Sequence, residues 1–484
     1  MNTLLLQVSI TLLLGQGFLS VAAFSITSST NKPLQWLIVG GGPHGVHIAT
    51  RLLEEVPSIS RSNLRIVDEE PKLLHKWKTR TAATGMVYLR SSSIYHLDVR
   101  EDGLKRYAEQ MGGGKSTSSG SRRSKNNRQP ALFAADYERP KLDFFNEHCD
   151  HVIEKNHLDQ SHVQGTVTDI LPKENHVEVE IRQPNGDIIK TCAENVVLAL
   201  GSDAPAYPDW AKEEMIRTGK VKHIFDEDDD RCDGHRSIAI VGGGISAAHL
   251  ALKMEREAAS SSDDVSSTTI HMVCRHELRE QQFDTHQDWM MDSLAAKRSE
   301  VGGGQGIPEC QRHFASLDSF TERRNVIKRE RRAGTISAAV IRGKGGLRYA
   351  IDGERIHWHN DDIHSVTEEE GSDGPLTVSM ASGGNITVDQ IILATGFGKR
   401  PPASFLINNI AQRNDLKLCP CGYPAPDEPL RWHKRIYLAG ALAELELGPS
   451  ARNLAGARLA SERIVAAALS QRVGRSGALV GAAV

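Results

Sequence analysis

At roughly 150 residues per domain, a chain of 484 residues has room for more than one core, and 39% hydrophobic with 25% charged residues excludes both a disordered tail and a multi-span membrane protein. A formal net charge of −3 excludes the global basic field that drives nucleic-acid binding. The 42 glycines against 5% aromatic residues point to an α/β chain with close backbone approaches rather than an aromatic-rich β protein.

The chain begins with a leader. Leu4 to Val21 is apolar except for Gln7, Ser9, Thr11, Gln16 and Ser20, and no charge precedes Lys32. Val21-Ala22-Ala23 supplies the small residues a signal peptidase needs, so cleavage before Phe24 is expected; an uncleaved anchor is the alternative. Phe24 at the cleavage point, followed by the Ser/Thr-rich and acid-free run from Ser25 to Lys32, resembles the bipartite plastid leaders of algae with secondary plastids. Residues 1–33 therefore read as an address to the secretory pathway, with a plastid suspected and the ER lumen or export as the alternative.

Leu34–Val39 has the pattern of a buried strand and runs into Gly40-Gly41-Gly42-Pro43-His44-Gly45, then a helical run from Val46 to Glu55. In a GxGxxG turn the first glycine (Gly40) permits the tight turn. The second (Gly42) lets backbone N–H groups approach a pyrophosphate, and the third (Gly45) lets helix and strand pack closely. A second strand, Leu64 to Val67, ends in Asp68, an acid placed to accept hydrogen bonds from an adenosine ribose.

The unit recurs. Ser237 to Val241 leads into Gly242-Gly243-Gly244-Ile245-Ser246-Ala247 and a helix through Arg256. Its second strand, Thr268 to Val273, ends in Cys274-Arg275-His276, with Arg279 close behind. A guanidinium at that strand end, with Ala247 in the third glycine position, suits a 2′-phosphate and favours NADP(H); a cap on the sheet edge is the alternative for Arg275. Each unit also has the same trailing pattern. Val177–Ile181, a Pro-Asn-Gly turn and Asn195 to Gly201 are echoed by Leu376–Met380, a Gly-Gly-Asn turn and Gln390 to Gly396. A duplicated nucleotide-binding domain is implied.

The seven cysteines include no CxxC. Cys419-Pro420-Cys421 reads as a turn carrying two thiols, and no metal site is expected.

Two such units, each closed by an Ala-x-Gly strand end, resemble the two-dinucleotide-binding-domain flavoproteins. Within them the chain is similar to the class B flavin monooxygenases, in the ornithine/lysine N-hydroxylase-like branch. The stretch from His75-Lys-Trp77 through Gly85-Met86 to Ser93 and His96-Leu-Asp98 resembles the one those enzymes place along the isoalloxazine. The resemblance implies two Rossmann-like domains, the NADP domain inserted in the FAD domain. After the leader at 1–33, it implies an FAD-binding part at 34–204, in which the Gly/Ser/Lys/Arg composition of 112–130 reads as a flexible insert, an NAD(P)H-binding domain at 205–400, completion of the FAD domain at 401–470 and a flexible tail at 471–484. For FAD it singles out Gly40, Gly42, Pro43, His44, Gly45, Asp68, Trp77, Met86, Gly201, Gly440 and Asn453; for NADPH, Gly242, Gly244, Ile245, Ser246, Ala247, Arg275 and Gly396.

The chain departs from the family's pattern in three places. The late flavin strand ends Gly440-Ala441 where the family has Gly-Asp, so a ribityl contact is expected from backbone N–H groups in the run from Gly448 to Asn453. Gly219-Lys-Val-Lys-His223 keeps the Gly-xxx-His spacing of a Baeyer–Villiger enzyme without its aromatic flanks. The lysine with which ornithine hydroxylases hold the substrate carboxylate has no counterpart.

Arg323 to Arg332, basic residues alternating with Glu, reads as a solvated helix face, and Asp226 to Asp233 as an acidic linker. The implied reaction is NADPH-driven N-hydroxylation of a small amine or amino acid by O₂, through a flavin C4a-hydroperoxide. A flavin reductase or oxidase, or a slow redox-sensing nucleotide-binding protein, is the alternative. The flavin carries that chemistry, so no side chain is assigned as catalytic; His96, Arg90 and Asp284 are the polar candidates beside the flavin or nicotinamide. The partners expected are a small substrate and O₂, with no nucleic acid and no membrane span once the leader is removed. No feature fixes an oligomeric state.

Overall fold

The computed structural model describes residues 32–112, 131–226, 237–260, 268–290, 306–368 and 374–480. The leader, most of the insert expected at 112–130, the acidic run from 227 and Cys232 lie outside them. Residues 33–484 form one contact unit.

Continuous apolar runs become the central strands of two sheets, the first mixed and the second parallel. The first has the order Arg431–His433, Ile436–Leu438, Ile188–Leu198, Leu34–Val39, Leu64–Asp68 and His162–Gln164, and Thr166–Pro172 with Val177–Arg182 extends it antiparallel from Ile188–Leu198. The second, parallel throughout, runs His357–His359, Thr269–Val273, Ser237–Val241, Gln390–Leu393 and Val221–His223. A smaller antiparallel sheet joins Ile363–Glu368, Leu376–Met380 and Asn385–Val388. The chain leaves the first sheet after Ile188–Leu198, builds the second, and returns to the first at Arg431. This insertion is the doubly wound α/β architecture expected.

Central strands such as Leu37-Ile38 and Val196-Val197-Leu198 are buried on both faces, as parallel strands covered by helices must be. Helix Pro43–Glu55 packs against the first sheet and the long helix Leu454–Val480, where Arg51 reaches Ser461 and Glu462. That long helix continues into the stretch expected to be a flexible tail; its Ala-rich run has high helix propensity. No helix among the described residues is long and apolar enough to cross a membrane.

Candidate cofactor and active site

The two glycine-rich turns are built alike. Gly40 N–H donates to Val67 O and Ala199 N–H to Val39 O, both at 2.8 Å; Gly242 N–H donates to Val273 O at 2.9 Å and Ala394 N–H to Val241 O at 2.8 Å. Gly40 has φ +113° and Gly242 φ +151°, and a Cβ on either would lie 2.2 or 2.5 Å from the carbonyl oxygen of Ala199 or Ala394. Only glycine satisfies both demands.

Gly45 is forced differently: its Cβ would lie 1.8 Å from Gly40 O. In the second unit Ala247 fills this place and is fully buried. Gly42 caps the helix Pro43–Glu55 with an ordinary φ of −75°, and nothing lies within 4 Å of where its Cβ would be. That open space lies at a helix N-terminus, whose first-turn N–H groups have no acceptor within the helix, and is where an anion fits. Gly201 and Gly396, in equivalent places after the central strands, have φ +74° and +80° and the same open surroundings.

Asp68 ends its strand as expected. One carboxylate oxygen accepts from Gly41 N–H and the other from Glu70 N–H at 2.9 Å, fixing the turn while leaving lone pairs for ribose hydroxyls. The strand registers place Cys274 at the matching point of the second unit, with Arg275 exposed beside it. His276 packs across Gly243, where a Cβ would lie 2.1 Å from Cys274 Sγ and 2.7 Å from the imidazole. Ile245 and Ser246 open the helix Ile245–Ser260.

The late flavin segment folds back onto the first turn. Gly440 has φ +62° and faces the ring of His44, whose Nε2 bonds Ala451 O at 3.0 Å. Asn453 spends its side chain on the helix, its Oδ1 accepting from Gly456 N–H at 2.9 Å. Glu444, only 1% exposed, anchors this region: Arg452 donates to both its oxygens at 2.6 and 2.8 Å and to Tyr423 Oη at 2.7 Å, and Arg324 bonds the same carboxylate. Burial pushes the Glu444 carboxyl up, but Arg452 and Arg324 outweigh it and hold it below the usual range. The expectation of a solvated face at Arg323 to Arg332 is corrected here. Helix Phe320–Glu330 buries Arg324, Val326 and Ile327, because the charge of Arg324 has a buried partner.

Trp77 donates from Nε1 to Asn146 Oδ1 at 3.1 Å and packs on Phe145, while Met86 lies against the main core. Of the three polar candidates, Arg90 and Asp284 meet. Arg90 Nη1 donates to Asp284 at 2.6 Å, and its other nitrogens donate to the carbonyls of Gln281, Gln282 and Phe283 and to Thr335 Oγ1. One guanidinium thus joins the Trp/Met stretch of the first unit to the paired strands Arg279–Glu280 and Thr335–Ile336 of the second. Alongside lies a cavity of about 540 Å³ lined by Arg279, Glu280, Gln281, Arg332 and Thr335. His96 is apart in function: its ring nitrogens bond Glu101 O and Asp98 N–H, a local turn.

Sequence reasoning missed Glu444 and Tyr423. The one signal was an acid inside the apolar run Ala441-Leu-Ala-Glu444-Leu.

Burial lowers the pKa of His44, His96 and His223 from 6.5 to about 4. The unfolded chain takes up these protons near pH 6.5 and the folded chain only near 4, so this contribution is full above the first value and is lost as pH falls towards the second. Thermal melts across that interval should show Tm falling steadily with acidification; a flat Tm would contradict these burials.

Two family models match the chain: one described as FAD-NAD(P)-binding, over residues 37–203, and one described as L-lysine 6-monooxygenase/L-ornithine 5-monooxygenase, over 127–293. A search of curated protein sequences gives no match. Among solved structures, an ornithine N-hydroxylase of Kutzneria sp. 744, with FAD, NADP⁺ and L-ornithine, superposes with TM-score 0.66 at 17% identity, covering 91% of this chain and 100% of that one. The FAD-bound cadaverine monooxygenase of Erwinia amylovora gives 0.65 at 14% identity, covering 90% and 94%. Ornithine hydroxylase of Pseudomonas aeruginosa gives 0.64 at 16%, covering 90% and 99%. At these identities the likeness is one of fold.

Proposed function

We propose that this chain, a two-dinucleotide-binding-domain flavoprotein of the class B, N-hydroxylase-like group that uses FAD and NADP(H), transfers one oxygen atom of O₂ to the nitrogen of a small primary amine or amino acid. The observation that carries the reading is the pair of like-built glycine turns in one chain, one ending in Asp68 and the other in Arg275.

The residues present fit FAD at the first turn: an uncrowded Gly42 at a helix N-terminus, an acid with spare lone pairs, and the open backbone at Gly201. FAD, when bound, accepts a hydride from NADPH and delivers the electrons to O₂. Gly40, Gly42 and the first turn of helix Pro43–Glu55 would hold its pyrophosphate, Asp68 its ribose, and Trp77 and Met86 would flank its ring system. Glu444, through Arg452, keeps the Gly448–Asn453 backbone in place against His44. The second turn, with Arg275 and the arginines lining the adjoining cavity, would hold NADPH. Arg90 keeps the two nucleotide units in register.

Arg275→Ala is expected to raise the KM for NADPH about tenfold, roughly 1.4 kcal/mol, and to leave that for NADH unchanged. Equal shifts for both would assign Arg275 to the sheet edge instead. The hydroxylating reading is tested by product analysis with amines. NADPH consumed to give only peroxide, whatever amine is added, would favour the reductase or oxidase.

The routing belongs to the same proposal and rests on residues 1–33. Amino-terminal sequencing should read Phe24 first if the protein stays in the ER lumen or is exported, and a start near Pro33 if the transit segment is also removed in a plastid.

A further inference from the structure

Cys419-Pro420-Cys421 is unused by the reading above. Gly422 N–H closes a turn on Cys419 O at 2.8 Å, Cys419 N–H returns to Tyr423 O at 2.8 Å, and Leu418 bridges Pro424. Proline in the second place of the turn and glycine in the fourth suit this geometry. Such a turn keeps its first and fourth Cα atoms within about 7 Å. The bend of such a turn also brings its first and third Cα atoms inside the span of about 4.4–6.8 Å that a disulfide needs. Both cysteines are free, and each thiol is close enough to shift the other's pKa. Cys419 is buried and Cys421 partly exposed, so the pair has an inner and an outer sulfur.

A cation stands over the turn. Arg324, 7% exposed, lies 4.1 Å from the ring centroid of Tyr423, and its charge acts on Cys421. Trp289, Phe314 and Ile327 share a buried cluster with Cys419 and Tyr423, against which Cys421 packs.

We propose that Cys419 and Cys421 form a peroxide-reactive dithiol, in which Cys421 takes one oxygen from a hydroperoxide and Cys419 resolves the product to a disulfide within the turn. The Cys421 thiolate attacks hydrogen peroxide and the O–O bond breaks. The sulfur becomes a sulfenic acid, and the hydroxide that leaves takes a proton to form water. Cys419 sulfur then attacks Cys421 sulfur, the S–O bond breaks, and a second water leaves with the proton of Cys419. Two thiols lose two electrons in all, and one peroxide is reduced to two waters.

The electrostatics support the order of attack. Burial pushes the Cys421 thiol up, but the bond from Cys419, the Tyr423 backbone and the charge of Arg324 outweigh it and bring its pKa below the ordinary thiol value. Cys149, Cys192, Cys274, Cys310 and Cys419 are all raised.

The test treats the reduced full-length flavoprotein, without NADPH, with one equivalent of hydrogen peroxide, then blocks free thiols with N-ethylmaleimide. The tryptic peptide 418–431 holds both cysteines and no others. It should appear unblocked and lighter by two hydrogens while Cys192 and Cys310 stay alkylated. In Cys419→Ser, dimedone should label Cys421 as the trapped sulfenic acid. Arg324→Gln in that background should slow labelling about threefold for each unit of pKa regained, the lost thiolate being partly offset by its greater nucleophilicity, with Arg324→Lys restoring it. Full alkylation of 418–431 after peroxide, or oxidation of Cys192 or Cys310 at the same rate, would overturn the proposal. Since no turnover is measured, it stands or falls apart from the hydroxylase reading.

Discussion

Gly42→Ala should fold as the parent does and lose FAD affinity at least tenfold. Its φ of −75° suits alanine, and no atom lies within 4 Å of the added methyl, so the folded chain has no clash to absorb. Alanine is a poorer helix N-cap than glycine, while the unfolded chain loses freedom; the two oppose, and the net change should stay within about 1 kcal/mol. The methyl would occupy the space a pyrophosphate needs against the helix N-terminus. Gly45→Ala is the contrast: its Cβ at 1.8 Å from Gly40 O forces helix and strand apart, at a cost of about 3 kcal/mol or more, and fold and flavin should be lost together. Flavin content and melting of the purified variants separate the two. A Gly42→Ala protein that keeps FAD as tightly as the parent would place the pyrophosphate elsewhere.

Arg90→Ala should be the most damaging change away from the glycine turns. The side chain is only 14% exposed and donates to three carbonyls, a hydroxyl and Asp284. Its removal leaves several acceptors without donors and should cost about 3–5 kcal/mol. Asp284, at 44% exposed, contributes less; Asp284→Asn should change stability by under about 1 kcal/mol. Arg90→Lys should recover little, because an ammonium cannot reproduce the planar fork. NADPH-driven reduction of the flavin should fail in Arg90→Ala before FAD itself is lost, since the first glycine turn does not use Arg90. A variant melting with the parent would contradict this bridging role.

The legible parts of the site were those whose demands are local. Gly40 and Gly242 must be glycine because a neighbouring carbonyl and a positive φ both exclude a side chain, and strand, turn, helix and acid follow within about thirty residues. The trailing strands around Asn195 and Gln390 were legible because the chain repeats itself. What escaped depends on partners far apart in sequence. Arg324 alternates with Glu at helical spacing, the pattern of a wet surface, yet its carboxylate partner is 120 residues downstream. Arg90 and Asp284 could each be named, but their meeting across 194 residues is a product of the fold. The Asn453 side chain caps the helix it opens, a use that its place directly before Leu454 already allowed and one separate from the backbone contact expected of its run.

The most direct test of the account is the amount of hydroxylamine formed per NADPH oxidised by the FAD-loaded protein with a panel of small primary amines and amino acids. The account predicts at least one amine for which the ratio approaches one while peroxide release falls. A ratio of zero across the panel, with NADPH still consumed and peroxide accounting for all of it, would contradict it.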